Sequence, residues 1–213
     1  MLRTSQRVHL VGATLAYGLR TSSLGTLRTI DGRPALVIDE AHPVRGADRV
    51  FQLTEYDRLR RQWVPGGQRL ILPPGHASPA VLDGPQTYTS PAFAALQAGR
   101  GLAVVHQWYG GAALKIDDSP GPLQAEDIVV ERVSIENAPG MGILAYGLKR
   151  GMALLSNRIA PAAQGPSPLS TNFDAIHVQS GGGDILIAGN LITGQADDGI
   201  NLNNPMHPVQ RVE

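Results

Sequence analysis

From about Leu102 onward, short apolar runs alternate with polar and turn residues, and the pattern recurs. Residues 127–147, DIVVERVSIENAPGMGILAYG, align without a gap on 184–204, DILIAGNLITGQADDGINLNN. Asp127 falls on Asp184, Ile128 on Ile185, Ile135 on Ile192, Gly142 on Gly199 and Ile143 on Ile200. The unit between them begins at Gly151 as GMALLSNRIA, with Asn157 and Ile159 matching Asn190 and Ile192. It then makes an excursion over 161–170, PAAQGPSPLS, and returns at Asp174-Ala175-Ile176. A weaker, earlier unit runs through Val104-Val105-His106 and Ala112-Ala113-Leu114. Repeats of roughly 20 to 35 residues built from short strands predict a solenoid, each turn burying its apolar face only against its neighbours. The expected fold is all-β, a right-handed parallel β-helix. Matched Ile and Val side chains would form its inner columns, and Asn157 over Asn190 part of a stacked amide ladder.

The first half carries a different pattern. Residues 6–17, QRVHLVGATLAY, read as strand, so 1–17 is expected to be the first solenoid turn. Over 18–98 the apolar runs pair as hairpins: Leu24 to Ile30 and Arg33 to Ile38 flank Asp31-Gly32, a short-range hairpin signal. Val50 to Thr54 and Gln68 to Leu72 continue the antiparallel pattern. This predicts a small β-barrel-like domain inserted after the first turn, with the solenoid resuming over 99–213. Gln210-Arg211-Val212-Glu213 reads as the start of another strand, so further turns are expected beyond this chain. The charged run Glu55 to Arg61 fits a solvated turn better than a binding patch.

Composition narrows the function classes. Lys plus Arg equals Asp plus Glu at 18 each, which gives no electrostatic argument for nucleic acid or an anionic membrane as partner. No apolar run approaches the roughly 18 residues of a membrane span. No secretory leader is recognisable. Without cysteine there is neither disulfide nor thiolate metal site. Gly (25) and Pro (16) are enriched, which favours many strands and turns over helices.

The candidate chemistry lies in Thr171 to Asn204. Two segments there share one pattern, Asp174-Ala175-Ile176-His177-Val178 and Asp198-Gly199-Ile200-Asn201-Leu202, with Asp197 beside Asp198. Their 24-residue spacing puts Asp174 and Asp198 at one place on successive turns, and parallel strands stack at about 4.8 Å. Like charges held that close are costly, and enzymes use the arrangement to keep one carboxyl protonated beside an ionised partner. Asp197-Asp198 alone would serve equally well as turn residues at a strand corner. A calcium site suits clustered oxygens less well here, since no further carboxylate follows nearby. His177, one turn below Asn201, is a candidate substrate-facing group or a packed strand histidine. His106, Trp108 and Tyr109 would supply a sugar-stacking surface or fill a corner. The proline-containing excursion 161–170 would wall a cleft or be incidental.

At these residues the chain resembles the β-helical glycoside hydrolases. Asp-Ala-Ile-His, a strand, then Gly-Gln-Ala-Asp-Asp-Gly-Ile-Asn is similar to the catalytic turns of glycoside hydrolase family 110, the α-1,3-galactosidases. It is more distantly similar to the polygalacturonases of family 28. The segment Tyr17 to Val44, with Gly-Thr-Leu and Ile-Asp-Glu-Ala-His-Pro, also resembles the approach to the barrel insertion of family 110. The resemblance implies an inverting hydrolase with no cofactor and a carbohydrate as partner, secreted or periplasmic. By motif, Asp197 would protonate the leaving oxygen while Asp174 and Asp198 activate water, with His177, Asn201, Trp108 and Tyr109 binding substrate. Where family 110 has Asn-x-His-Gly after the acid pair, this chain has Asn201-Leu202-Asn203-Asn204, which leaves the sugar open. A polyuronide hydrolase is the second enzyme reading. It ranks lower because Lys149 and Arg150 are the only basic pair nearby in sequence. A non-catalytic carbohydrate-binding or adhesin solenoid is the rival from another class.

Overall fold

The computed structural model describes residues 1–2, 5–45, 48–116 and 125–204. The chain opens with β1 (Gln6–Val11) and β2 (Thr14–Ala16). An antiparallel series follows: β3 (Ser22–Ile30), β4 (Arg33–Ile38), β5 (Gln52–Asp57), β6 (Gln62–Trp63), β7 (Arg69–Ile71), β8 (Val81–Leu82), β9 (Thr87–Thr89) and β10 (Gly101–Val105). Next comes β11 (Ala112–Ile116). Three strand triplets then succeed one another: β12 (Glu126–Glu131), β13 (Ser134–Glu136), β14 (Met141–Tyr146); β15 (Arg150–Leu155), β16 (Arg158–Ile159), β17 (Ile176–Gln179); and β18 (Ile185–Ala188), β19 (Leu191–Ile192), β20 (Ile200–Asn203).

The triplets build three parallel four-stranded sheets, β1-β12-β15-β18, β2-β13-β16-β19 and β11-β14-β17-β20, so each pass of the chain adds one strand to every sheet. Inward positions stack in columns fixed by the strand register. Val8, Ile128, Met152 and Ile185 form one, and Leu10, Val130, Leu154 and Ile187 the next. Leu114, Ile143, Ile176 and Ile200 line the third sheet, and Leu15, Ile135, Ile159 and Ile192 the second. Burying such a side chain fully stabilises by about 1.5–3 kcal/mol, and the middle turns gain most of it. In the last described turn Leu186, Leu191, Ile200 and Leu202 remain exposed. The segment from Gln210 to Glu213, expected to start a strand, lies outside the described residues.

The corner after the first sheet is built the same way on every turn. Gly12, Arg132, Ser156 and Gly189 each follow the strand's last paired residue, and all have left-handed backbones, with φ of 67°, 52°, 52° and 67°. The residues after them turn the chain. The Asn157 amide donates to Asn190 Oδ1 at 2.9 Å, as does the Asn157 backbone N–H at 2.8 Å, while Val133 N–H donates to Asn157 Oδ1 at 2.9 Å. The expected amide ladder therefore exists, and it satisfies corner N–H groups that a buried turn would otherwise strand.

The inserted residues form an eight-stranded antiparallel sheet. Its β3–β4 hairpin turns at Asp31 (φ 49°) and Gly32 (φ 76°), the two left-handed positions of a type I′ turn. Leu27, Leu36, Leu53, Tyr88, Phe93 and Leu102 fill its core. The sheet extends past the expected boundary at residue 98. β10 slots between β3 and β5 and pairs antiparallel with both, so Val104 and Val105 belong here and only Ala112 to Leu114 of the weak early repeat belongs to the parallel sheets. Asp57 caps the charged turn, accepting from the backbone N–H groups of Leu59 and Arg60, which makes this run a solvated turn.

Buried polar contacts lock the two parts together. Thr21 Oγ1 donates to Asn137 Oδ1 at 2.8 Å, and the Asn137 amide donates to the carbonyls of Tyr17 and Leu19. Ser167 Oγ, on the excursion, accepts from Thr21 N–H at 2.8 Å, and the Asn172 amide donates to the carbonyls of Thr21 and Pro139. Ser167 to Thr171 is buried, so this half of the excursion is the joint between the two parts rather than a wall standing in solvent.

Candidate functional site

The acids are placed by stacked loops that lead into the third parallel sheet. Isolated bridges stack Gln195 on Thr171 and Thr171 on Ala138, while the strand register stacks Ile200 on Ile176 and Asn201 on His177. Asp198 therefore lies over Asp174, and Asp197 over Phe173. Ala175 N–H donates to the Asp198 carbonyl at 2.9 Å, which holds the two turns together at this point. One oxygen from each of Asp174, Asp197 and Asp198 lies within 4.8 Å of the others. The carboxylates are drawn together rather than splayed.

The three acids have different surroundings. Asp174 is buried, and its Oδ2 accepts from His177 Nδ1 at 2.6 Å. Burial pushes the Asp174 carboxyl above the usual aspartate range. The His177 hydrogen bond opposes this, and the charges of Asp197 and Asp198 add to it. Asp198 Oδ2 accepts only a long bond, 3.4 Å, from the Asn201 amide. The Asn203 amide donates to both Asn201 Oδ1 (3.1 Å) and His177 Nε2 (3.4 Å). One residue thus links the Asp198 and Asp174 branches and sets His177 as the Nδ1–H tautomer. Asn203, in the place of the histidine of the Asn-x-His-Gly pattern, was not singled out from the sequence.

Asp197 is held from the other side. Arg69 on β7 donates Nη1 to Oδ1 at 3.1 Å and Nη2 to Oδ2 at 2.7 Å, a bidentate pair. Arg69 Nη2 also donates to Gln52 Oε1 at 3.2 Å. Gln52 is fully buried on β5, and its amide reaches the Ala196 carbonyl at 2.9 Å. The inserted sheet thus grips Ala196-Asp197 through two side chains. Between the sheet and these residues is a cavity of about 100 Å³, lined by Thr54, Trp63, Gly67 and Arg69 on one side and Ala196, Asp197 and Asp198 on the other. A larger cavity of about 420 Å³ lies elsewhere, against Arg33, Pro79 and Val81, with no cluster of reactive groups. Arg69, Gln52 and Trp63 lie more than a hundred residues from the acids in sequence. No local pattern marks them, and only the fold of the insertion brings them in.

The aromatic residues pack beneath the acids. Tyr109 stacks on Phe173 with centroids 4.0 Å apart and planes 8° from parallel, and Trp108 meets both edge-on. Tyr109 is 54% exposed. Partial burial raises the pKa of its phenol, and the charges of Asp197 and Asp174 raise it further. His106 is not at the site. It is buried, with Nδ1 on the Arg49 carbonyl and Nε2 on Ser23 Oγ, both at 2.8 Å, and it serves the sheet. Lys149 and Arg150 pair with Glu126 and Asp127 on the first parallel sheet, away from the acids.

The acid cluster is a possible donor set for a hard cation, but the charge requirement is already met in part. Arg69 occupies both oxygens of Asp197 and His177 one of Asp174, which leaves Asp198, held only by the long Asn201 bond, as the least engaged of the three. The cost of burying Asp174 is testable. A carboxyl whose pKa is higher folded than unfolded favours folding while protonated, and that contribution is lost as pH rises through the folded pKa. Asp174→Asn keeps an acceptor for His177 and removes the charge. It is expected to melt above the wild type near neutral pH, with the gap closing in acid. Thermal unfolding across pH checks this, and a lower midpoint near neutral pH would contradict it.

No protein-family model matches the chain, and a search of curated proteins finds no significant relative.

Proposed function

We propose that the chain carries the catalytic turns of a glycoside hydrolase with a right-handed parallel β-helix fold, acting by inversion on terminal α-galactoside-like linkages without a cofactor. The observation that carries this reading is the convergence of Asp174, Asp197 and Asp198, from two successive turns, to within 4.8 Å of one another, with Asp197 and Asp198 lining the cavity beside the inserted sheet and Asp174 buried behind them. Stacking alone would bring Asp174 and Asp198 together, but it does not account for Asp197 being held beside them by an arginine from another sheet. In this reading Asp197 gives its proton to the glycosidic oxygen as the C1–O bond breaks. A water, relieved of its proton by Asp174 or Asp198, forms the new C1–O bond from the opposite face. Glycoside and water become an alcohol and a sugar of inverted configuration. Both Asp197 oxygens accept from Arg69 in the free chain, so Arg69 must release at least one of them and that oxygen take up a proton from solvent before Asp197 can act as the acid. Tyr109 and Trp63 would offer stacking faces for the sugar ring.

The usual inverting separation is about 6.5–9.5 Å and the retaining one about 5–5.5 Å, so oxygens within 4.8 Å make the anomer formed the informative product. Aryl α-galactosides incubated with the chain and followed by NMR are expected to release β-galactose first. Release of the α-anomer would replace inversion by retention. Binding of galactose without turnover of any galactoside or galacturonide would move the site to the carbohydrate-binding class. One observation favours the polyuronide reading as runner-up: Arg69 is a cation in the cleft that could meet a substrate carboxylate. Turnover of galacturonides alone would select it.

A further inference from the structure

A third cavity, of about 250 Å³, lies where the excursion loop meets the inserted sheet. One wall carries His42, Tyr56, Arg58 and Arg61, and the other is formed by residues 162–168, including Ser167. The space is several times the ~30 Å³ share of one water molecule.

Two independent observations point to a ligand of particular chemistry. The first is charge. Arg58 and Arg61 line the cavity, and Arg20 is near enough to act on His42. Of the acids that act there, Asp39 is paired with Arg58 through both oxygens and Asp57 with Arg60, which leaves Arg61 without a carboxylate partner among the described residues. Arg61 makes a long bond, 3.5 Å, to the Ala162 carbonyl. It also favours ionisation of the Tyr56 hydroxyl, but burial dominates and pushes that group up to about 12. The second is hydrogen bonding. Tyr56 is 5% exposed with Arg61 beside its hydroxyl, and among the described residues neither that hydroxyl nor His42 Nδ1 has an acceptor. Buried polar atoms are normally satisfied, and both residues line the cavity that Arg58 and Arg61 share. Burial and the neighbouring arginines lower the His42 pKa, and burial holds the proton on the Tyr56 hydroxyl, which is left to donate. Donors and positive charge therefore prevail, and what the cavity lacks is an acceptor.

We propose that this joint cavity is a binding site for a small oxyanion-bearing ligand, with Arg61 and Tyr56 as the principal donors. The site is separate from the acid cluster and does not depend on its chemistry. Inorganic phosphate and galacturonate, titrated calorimetrically at ionic strength matched with chloride, distinguish a free anion from a sugar acid. Saturable one-site binding of at least one probe is expected, weakened tenfold or more in both Arg61→Gln and Tyr56→Phe and unchanged in Asp197→Asn. Thermal midpoints confirm that the variants are folded, and Arg61 is an exposed turn residue whose replacement leaves the core intact. The proposal is overturned if neither probe binds saturably, if Arg61→Gln binds as tightly as the wild type, or if Asp197→Asn abolishes the binding.

Discussion

Asp197→Asn is expected to lower the turnover of α-galactosides by about 10²–10⁴-fold, the contribution typical of a positioned general acid. The substitution keeps the side chain's shape and one acceptor for Arg69, so the grip of the inserted sheet persists while the transferable proton is lost. The size of the deficit should depend on the leaving group. An aryl group with a stable anion departs with little help, whereas an alkyl group needs the proton. The loss should therefore be smallest on nitrophenyl galactosides and largest on alkyl galactosides. Initial rates on both series, with circular dichroism and thermal midpoints as controls for folding, provide the test. A folded variant within tenfold of wild type on alkyl substrates would remove Asp197 from the acid role. An equal loss on both series would make it a positioning group for Asp198 and Asp174.

Both the parallel strands and the acid column were legible in the sequence because a repeat reports on itself. Ile128 over Ile185 and Asn157 over Asn190 occupy equivalent environments on different turns, so the same selection for shape acts twice and leaves two copies to compare. The 24-residue interval from Asp174 to Asp198 then needed only the stacking of parallel strands to bring the carboxylates together. The corner column was hidden because its shared property is a backbone angle. Gly12 and Gly189 show it openly, whereas Arg132 and Ser156 adopt the same left-handed conformation at some cost.

The insertion's contribution to the site was invisible for a different reason. Arg69 reaches Asp197 because β7 pairs with β5, β5 with β10, and Gln52 of β5 abuts Ala196. Each link is a non-local pairing that no periodicity encodes. The boundary at residue 98 was missed likewise. β10 carries the same Val-rich composition as a parallel strand, and only its two antiparallel partners reveal which sheet it completes. Repeats write their contacts into the sequence, whereas a docked sheet writes only its own core.

Gly140→Ala is expected to destabilise the chain by about 3 kcal/mol or more, the upper range of overpacking costs. Gly140 lies one turn below Phe173, and a methyl group there would sit 1.8 Å from the Gly111 carbonyl oxygen and 2.9 Å from its carbon. Both contacts are backbone, so no rotamer change relieves them and the two turns must part. The same gap lets Tyr109, from the turn below, stack on Phe173 from the turn above at 4.0 Å. Phe173 N–H and Asn172 N–H both donate to the Gly140 carbonyl, at 3.1 and 3.0 Å, so the strain passes directly into the residues before Asp174. Gly18→Ala is the matched control. A methyl group at Gly18 meets nothing within 4 Å, and the change should stay within about 0.5 kcal/mol. Urea unfolding of the two variants separates a specific clash from a general intolerance of alanine. Equal midpoints would mean that the turns can spread at Gly140 without loss, and the close stacking that brings the acids together would then not be a condition of the fold.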